Sequence, residues 1–185
     1  MNKDFVVVSG LPCSGKSSLG LQLAPALGLL LLDKDTILES LFESKGVGDA
    51  EWRRALSRQS DLILQTKATA SNGAVLVSHW HLAGMPLNSG TPTNWLSNLS
   101  RRIVNVHCEC PADVAARRYV QRNRHPGHLD NKRSYPETLA SIRAVAALGR
   151  LDIAPCIEVD TSQTPMLDAV VTKVHLALSQ CGTFD

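Results

Sequence analysis

The amino-acid sequence predicts an α/β protein in which a five-stranded parallel sheet is covered by helices on both faces. Five short apolar runs alternate with longer segments whose apolar residues recur at helical spacing, an order typical of parallel sheets. The apolar runs show no polar–apolar alternation, which indicates strands buried on both faces. Polar residues able to bind a ligand follow directly after four of these runs, and such sheets bind ligands at that edge.

The strands are predicted from aliphatic and β-branched runs that end at turns or polar residues. The first run is mostly valine, the second is all leucine, and the third follows the Asn72-Gly73 turn. The five predicted strands are 4–9, 29–32, 74–77, 103–108 and 156–159.

The helices are predicted from apolar spacing and from prolines suited to a first helical turn, namely Pro111, Pro136 and Pro165. We expect six long helices, at 15–27, 36–44, 50–71, 111–124, 136–148 and 165–179, and a short one at 94–100. The inner face of the third is predicted to carry Trp52, Leu56, Leu62, Ile63 and Thr66.

The composition indicates one globular domain, 1–185, with ordinary contents of 44% hydrophobic and 19% charged residues. A net charge of +2 and an aromatic content of 4% give no argument for nucleic acid. The five cysteines are an odd number, which favours reduced thiols and a cytoplasmic protein. The first apolar run is short, and no segment predicts a signal peptide or a membrane span.

The stretch Gly10-Leu11-Pro12-Cys13-Ser14-Gly15-Lys16-Ser17 has the pattern of a phosphate-binding loop. The two glycines permit backbone angles that turn N–H groups toward phosphate oxygens. Lys16 is expected to reach the β- and γ-phosphates, and the Ser17 hydroxyl is expected to ligate Mg²⁺. The predicted nucleotide contacts are Gly10, Pro12, Cys13, Ser14, Gly15, Lys16, Ser17 and Ser18.

Two carboxylates, Asp33 and Asp35, follow the second strand. If the backbone stays extended, both side chains point the same way. One carboxylate could then hold a metal against the phosphates while the other orients or deprotonates a hydroxyl nucleophile. The alternative is structural, because Asp35 could cap a helix that starts at Thr36.

Basic residues cluster after the fourth strand, with Arg117, Arg118, Arg122 and Arg124 followed by Lys132 and Arg133 in a glycine-containing loop. A mobile basic lid would exclude water and neutralise charge on a transferring phosphoryl group. We therefore predict a lid at about 120–135. The alternative is a solvated basic face.

The third strand ends in Ser78-His79-Trp80-His81. Trp80 could stack on a flat substrate, and either histidine could titrate or donate a hydrogen bond. The competing interpretation is a strand-end cluster that is satisfied internally. A substrate pocket lined by Asp35, His79 and Arg53 or Arg54 would favour catalysis over simple nucleotide binding.

Several stretches together resemble the P-loop kinases labelled as AAA-type ATP-binding proteins, relatives of shikimate and gluconate kinases, zeta toxins, chloramphenicol phosphotransferase and polynucleotide kinase. The matching stretches are GLPCSGKSSLG (10–20), LLDKDTILESLF (31–42), GVGDAEW (46–52), HCECPADVAARRYVQRNRHPGH (107–128) and EVDTS (158–162). The resemblance implies a three-layer P-loop NTPase fold like that of nucleoside monophosphate kinases, with sheet order 2-3-1-4-5. It also implies ATP and Mg²⁺.

The resemblance also implies roles by position. Gly15, Lys16 and Ser17 would bind phosphate and metal, Asp33 would assist the metal, and Asp35 would bind or deprotonate the acceptor hydroxyl. Arg122 and Arg124 would be lid arginines, and Arg118 and Thr161 would flank adenine. The sequence departs from the family at Val77-Ser78-His79-Trp80, where relatives carry an acidic residue near the end of the third strand.

These observations predict an ATP-dependent phosphotransferase that acts on a hydroxyl of a small molecule. Its catalytic residues would be Lys16, Asp35, Arg122 and Arg124, its metal residues Ser17 and Asp33, and its substrate residues Asp35, Arg53, His79, Trp80 and His81. Two alternatives remain: a kinase for the 5′-hydroxyl of a nucleoside or polynucleotide, and an ATP-binding regulatory module without a substrate.

Overall fold

Five parallel strands form a sheet of order β2-β3-β1-β4-β5 in the computed structural model, which describes residues 3–129 and 133–181. The strands are β1 (Asp4–Gly10), β2 (Leu30–Asp33), β3 (Gly73–Val77), β4 (Ile103–Glu109) and β5 (Cys156–Asp160). The helices are α1 (Lys16–Ala26), α2 (Lys34–Lys45), α3 (Ala50–Ala70), α4 (Ala112–Gln121), α5 (Tyr135–Ala146) and α6 (Leu167–Gln180). Two 3₁₀ turns lie at Leu96–Asn98 and Pro126–His128.

The predicted strand order and parallel pairing are confirmed, and β1 is the central strand. Val6 of β1 is in register with Val75 of β3 on one side and with Val104 of β4 on the other. The side chains of residues 5–8 are fully buried, as continuous apolar strands predict for a sheet covered on both faces.

The two faces of the sheet carry separate apolar clusters. Val6 and Val8 pack with residues of α1 and α6, whereas Phe5 and Val7 pack with α3 and with the 80–99 connection. Gly20 lets α1 lie close to the sheet, because a Cβ at this position would come within 2.5 Å of the Val77 side chain. The result is the predicted three-layer fold.

The second helix begins earlier than the sequence predicts. α2 starts at Lys34, and Asp33 is its N-cap, whose Oδ1 accepts a hydrogen bond of 2.9 Å from the Asp35 amide. The prediction that Asp35 could cap a helix from Thr36 is therefore wrong, and the backbone does not stay extended through both carboxylates. Asp35 lies in the first helical turn.

The predicted inner face of α3 is partly wrong. Trp52 and Leu62 are 40% and 65% exposed, and Thr66 is also exposed. The buried residues recur every four positions, as Leu56, Ser60, Leu64 and Ala68. Trp52 instead lies over the loop before α3 and donates its indole N–H to the Gly46 carbonyl at 3.1 Å.

The fourth helix ends at Gln121, so Arg122 and Arg124 lie beyond it, and Arg122 has an extended backbone. The predicted short helix at 94–100 is a 3₁₀ turn of three residues. Within residues 3–129 and 133–181, none of the helices combines the length and apolar character that crossing a bilayer requires.

Candidate active site

The phosphate-binding loop leaves the end of the central strand and leads directly into α1. Gly10 has φ +135°, and a Cβ there would come within 2.7 Å of the Cys108 carbonyl oxygen. Gly15, with φ +94°, is the N-cap of α1, and Cys13 also has a positive φ of 59°. The loop therefore turns sharply enough to place its amides at the N-terminus of α1. Pro12, Ser14 and Ser18 lie in this loop or in the first turn of the helix.

Lys16 crosses the loop from the first turn of α1. Its buried Nζ donates to the Gly10 carbonyl at 3.0 Å and to the Leu11 carbonyl at 2.6 Å. Burial lowers the pKa of Lys16, while nearby groups such as Asp35 and Asp33 oppose that shift. The ammonium group is thus held at the centre of the loop.

Ser17 and Asp33, the two predicted metal residues, lie together. Burial raises the pKa of Asp33, and a hydrogen bond from the Ser17 hydroxyl opposes this rise. A hydroxyl and a carboxylate are oxygen ligands of the kind that Mg²⁺ prefers, with water and phosphate completing its shell. The pair fits Mg²⁺, although the residues that the structure describes include no cluster of three or more His, Cys, Asp or Glu side chains suited to a metal.

The end of β3 carries no carboxylate, but the adjacent strand β2 ends in one. Asp33, the last residue of β2, is in register with Val77, the last residue of β3. Asp33 therefore places its carboxylate at the edge of the sheet next to the end of β3.

Asp35 lies outside this metal pair and faces the predicted lid. Its half-exposed carboxylate forms an ion pair with Arg124. Burial favours a higher pKa for Asp35, but the charges of Arg124 and His128 and the hydrogen bond from Arg124 outweigh it and lower the pKa. Asp35 is consequently ionised at neutral pH.

His79 follows the end of β3 and lies at the candidate site. His79 is half-buried, and burial followed by the charges of Lys16 and Lys34 lowers its pKa to about 4, while Asp35 opposes the shift. A neutral imidazole thus lies near Lys16 and Asp35.

The contacts of Trp80 and His81 agree with the alternative of a strand-end cluster that is satisfied internally, and their roles at a substrate stay predictions. Trp80 is 3% exposed, packs against Trp95 and donates its indole N–H to the Val8 carbonyl at 2.9 Å. Its indole N–H is therefore satisfied within the fold, and the residue also lines a cavity of about 290 Å³ beside the phosphate loop. His81 makes a hydrogen bond to the loop that follows it, with its Nδ1 2.7 Å from the Ser89 carbonyl oxygen.

Arg53 lies on α3, and its Nε is buried without a hydrogen-bond partner. Among the hydrogen bonds and ion pairs of residues 3–129 and 133–181, none joins Arg53 to Asp35 or His79. The role of Arg53 at a substrate stays a prediction.

Arg118 and Thr161 meet beside the phosphate loop. The Arg118 guanidinium donates to the carbonyls of Thr161 and Ser162, at 2.8 Å each. A Cβ on Gly15 would lie 3.6 Å from the Thr161 side chain. Their position next to the loop agrees with the expectation that they flank the base, and their contact with adenine stays a prediction.

The two predicted lid arginines have different positions. Arg124 is mostly buried and reaches Asp35, whereas the Arg122 guanidinium lies over the Tyr119 ring, 4.6 Å from its centroid. Arg117 forms an exposed ion pair with Asp113 on the same helix, so the alternative of a solvated face is correct for that residue. Lys132, also predicted in the lid, lies outside the described residues.

Residues 122–129, hereafter the lid segment, dock on α2. The Phe42 ring stacks on His125 with 5.3 Å between centroids and meets His128 edge-on at 5.5 Å. Gly127 sits against the same ring, since a Cβ there would come within 2.5 Å of it. His128 Nε2 lies 2.9 Å from a Glu39 carboxylate oxygen. This packing brings Arg124 to Asp35.

Comparison with known proteins agrees with this geometry. Residues 5–145 match the model of a family described as AAA domain, and this match covers most of the chain. The chain belongs to that AAA domain family. No curated protein sequence matches it.

Three solved structures that are similar to this AAA domain chain are described as kinases. A "putative kinase" from Chloroflexus aurantiacus has 26% sequence identity and a TM-score of 0.76, with 96% of this chain and 99% of that chain covered. A shikimate kinase from Bacteroides thetaiotaomicron has 18% identity and a TM-score of 0.59, covering 95% and 98%. A gluconokinase from Sinorhizobium meliloti has 17% identity and a TM-score of 0.52, covering 96% and 92%. The AAA domain chain thus has a P-loop kinase fold.

Sequence reasoning missed three residues of the AAA domain site. The Lys34 ammonium, between the two aspartates, lies 2.6 Å from Asp61 of α3 in a largely buried ion pair. Glu39 and His128 link α2 to the lid segment. The spacing within Asp33-Lys34-Asp35 could have drawn attention to Lys34, but the Glu39–His128 contact joins residues 89 positions apart and has no local signal.

Proposed function

We propose that this protein is an ATP-dependent phosphotransferase that moves the γ-phosphoryl group of ATP to a hydroxyl of a small molecule. One observation carries the proposal: an ionised carboxylate, Asp35, and a neutral imidazole, His79, lie beside the lysine of a phosphate-binding loop. The P-loop kinase fold supports it. The five free cysteines support a reducing, cytoplasmic setting.

On the donor side, the amides of residues 10–15 and the N-terminus of α1 would bind the phosphates. Lys16 would exchange hydrogen bonds to its own loop for bonds to the β- and γ-phosphate oxygens. Ser17 and Asp33 would hold Mg²⁺, which when bound neutralises phosphate charge. Burial of Lys16 strengthens its attraction for these oxygens, because electrostatic interactions gain in a low-dielectric site.

On the acceptor side, Asp35 would accept a hydrogen bond from the attacking hydroxyl and take its proton as the new bond forms. Arg124, which pairs with Asp35, would stabilise charge on the transferring group. His79 is neutral, so it can donate or accept a hydrogen bond without adding charge. Arg122 contributes less directly in this proposal, since its guanidinium lies over Tyr119.

Two features weigh against the alternatives. A polynucleotide acceptor needs aromatic platforms along a basic groove, and Trp80 and Trp95 are buried. A regulatory module without substrate predicts a closed space beside Asp35, whereas a cavity of about 290 Å³ opens at His79, a residue near enough to Asp35 for that charge to act on its pKa.

The test is a screen of hydroxyl compounds by coupled ADP release in the presence of MgATP, with Lys16→Ala as the blank. We expect at least one acceptor whose phosphorylation requires Lys16. Asp35→Asn should lower kcat by about 10²–10⁴-fold, the usual contribution of a positioned base, with nucleotide binding retained. Wild-type rates in Asp35→Asn would remove it as the base, and acceptor-independent ATP turnover alone would contradict the proposal.

A further inference from the structure

A cavity of about 290 Å³ opens next to the proposed transfer site, at the carboxyl ends of β1, β3 and β4. Gly10, Leu11 and His79 form the end of the cavity next to the phosphate loop, and Val145 of α5 lies on its wall. Its other polar lining comes from Ser9, His107, Glu109 and Arg150. The volume is near the lower limit for small-molecule sites, about 300–1,000 Å³. None of these four polar residues was among the predicted site residues.

A hydrogen-bond network under the cavity fixes the proton on His107. The buried Ser9 hydroxyl donates to Asn105 Oδ1 at 2.7 Å. A hydroxyl has one hydrogen, so the Ser9 oxygen accepts from His107 Nδ1, which lies 2.9 Å away. Burial lowers the pKa of His107, with Glu109 opposing, so the ring is neutral at pH 7. The network therefore assigns a lone pair, not a hydrogen, to His107 Nε2.

This lone pair lies beside a second acceptor. His107 Nε2 is 3.7 Å from a Glu109 carboxylate oxygen, too long for a hydrogen bond between them. This oxygen, Glu109 Oε1, is buried and already pairs with Arg150 at 2.7 Å. A ligand's hydrogen-bond donors would therefore meet the lone pair of His107 Nε2 and the other oxygen of the partly exposed Glu109 carboxylate.

The charge at the mouth of the cavity is negative. Arg150 lies 2.7 Å from the Glu109 carboxylate and also pairs with Glu158, so one guanidinium faces two carboxylates. The charge of Arg150 is therefore already more than balanced. The Lys16 ammonium lies at the phosphate-loop end of the cavity, where the proposed function assigns it to ATP phosphates. A carboxylate or phosphate placed beside His107 and Glu109 would instead meet the lone pair of His107 and the excess negative charge, and like charges placed together are costly.

We propose that this cavity holds the body of the acceptor, and that the acceptor is a non-anionic polyhydroxylated compound of about monosaccharide size. Its hydroxyls donate to His107 Nε2 and to Glu109, and the reacting hydroxyl extends past His79 to Asp35. This inference rests on the proposed phosphotransferase function. The proposed acceptor differs in charge from acids such as shikimate, which is bound in one similar solved structure.

The test compares uncharged polyols and hexoses with their matched acids, for example glucitol with gluconate. Binding is measured by ligand-observed NMR without ATP, and transfer is measured by ADP release with MgATP. We expect the uncharged compound to bind and to have a kcat/KM about tenfold or more above that of the acid. Binding without ATP makes the assignment of the cavity independent of turnover.

Matched variants locate the effect in the cavity. Glu109→Gln keeps the shape but removes the charged acceptor, so it should raise the KM for the polyol about tenfold or more and leave the KM for ATP unchanged. Glu158→Gln is the control, because Glu158 pairs with the same arginine without lining the cavity. Val145→Phe should block polyol binding by filling the space. Thermal unfolding confirms that each variant is folded.

The outcomes separate the two proposals. Preferred transfer to acids, or an acceptor KM unchanged in folded Glu109→Gln and Val145→Phe, overturns the cavity assignment and leaves the phosphotransferase proposal standing. Polyols that bind in the wild type but are never phosphorylated support the cavity and contradict the transfer reaction. Failure of every uncharged compound to bind at millimolar concentration overturns the cavity assignment.

Discussion

Asp33 and Asp35 differ in environment although they are two positions apart. Asp33 caps α2 and accepts a hydrogen bond from Ser17, and burial raises its pKa. Asp35 lies in the first turn of α2 and faces Arg124, which together with His128 outweighs burial and lowers the pKa of Asp35. Groups with opposite shifts are suited to different tasks, which supports assigning Asp33 to the metal and Asp35 to the acceptor hydroxyl.

Replacement of Arg124 tests this electrostatic assignment. Asp35 acts as a base when ionised, and the Arg124 charge stabilises the ionised form. We expect Arg124→Gln to raise the pKa of Asp35, so that activity is lost at a higher pH as the solution is acidified. Loss of an arginine at the transferring group also lowers kcat, by up to about 10³–10⁵-fold. The measurements are the pH profile of kcat/KM and a carboxyl NMR titration of Asp35.

Arg117→Gln is the matched control, because Arg117 pairs with Asp113 on the exposed side of α4 and exposed pairs contribute little. An Asp35 titration that does not move in Arg124→Gln would show that another charge sets its pKa.

The packing of the lid segment decides where the Arg124 side chain lies. Residues 122–129 have little regular structure beyond a 3₁₀ turn, yet Phe42 contacts both histidines of the segment. The contacts tie the segment to α2, and Asp35 is in the first turn of that helix. Docking of the lid segment therefore places Arg124 at Asp35, which the sequence of the segment alone does not determine.

Gly127→Ala tests the docking. The added Cβ would come within 2.5 Å of the Phe42 ring, and overpacking of this kind costs about 1–3 kcal/mol. We expect trypsin to cleave after Arg124 about tenfold faster or more, because about 1.4 kcal/mol corresponds to a factor of ten. Cleavage sites are identified by mass spectrometry, and global unfolding in urea should change less than the cleavage rate.

Leu62→Ala, on an exposed position of α3, should leave that cleavage rate unchanged. Equal cleavage in Gly127→Ala and wild type would mean that the contact with Phe42 does not hold the segment.

At the scale of the whole molecule, the sheet order collects the candidate site at one edge. β1 delivers the phosphate loop, β2 delivers Asp33, β3 delivers His79, and the loop after β5 delivers Thr161. β1 lies between β3 and β4, so the loop has neighbours from both sides. We propose that residues 1–185 form a single domain that folds and binds nucleotide as one unit.

Thermal unfolding with and without MgATP tests this unit. We expect one transition, because every strand shares the sheet. A ligand at about 100 times its Kd stabilises the folded state by about 2.7 kcal/mol, which raises Tm by about 5–10 °C for a domain of this size. Lys16→Ala should give the same single transition with little or no shift. Two separate transitions would contradict the single domain, and an equal shift in Lys16→Ala would contradict the role of the loop.

The sequence alone determined the features that depend on local rules. Five apolar strands in alternation with helices predict the parallel three-layer fold. The glycine and lysine spacing of residues 10–17 predicts a tight loop against a helix N-terminus, because backbone angles are set by residues close in the chain. Asp33 and Asp35 were predicted for the same reason, since both follow a strand end.

Only the tertiary structure decided how distant segments meet. It buried Trp80 against Trp95, aimed Arg124 instead of Arg122 at Asp35, and placed Ser9, His107 and Arg150 around one cavity. Each of these outcomes depends on packing between elements far apart in the sequence. Side-chain direction at such contacts follows the shape of the opposite surface, for which the local sequence carries no signal.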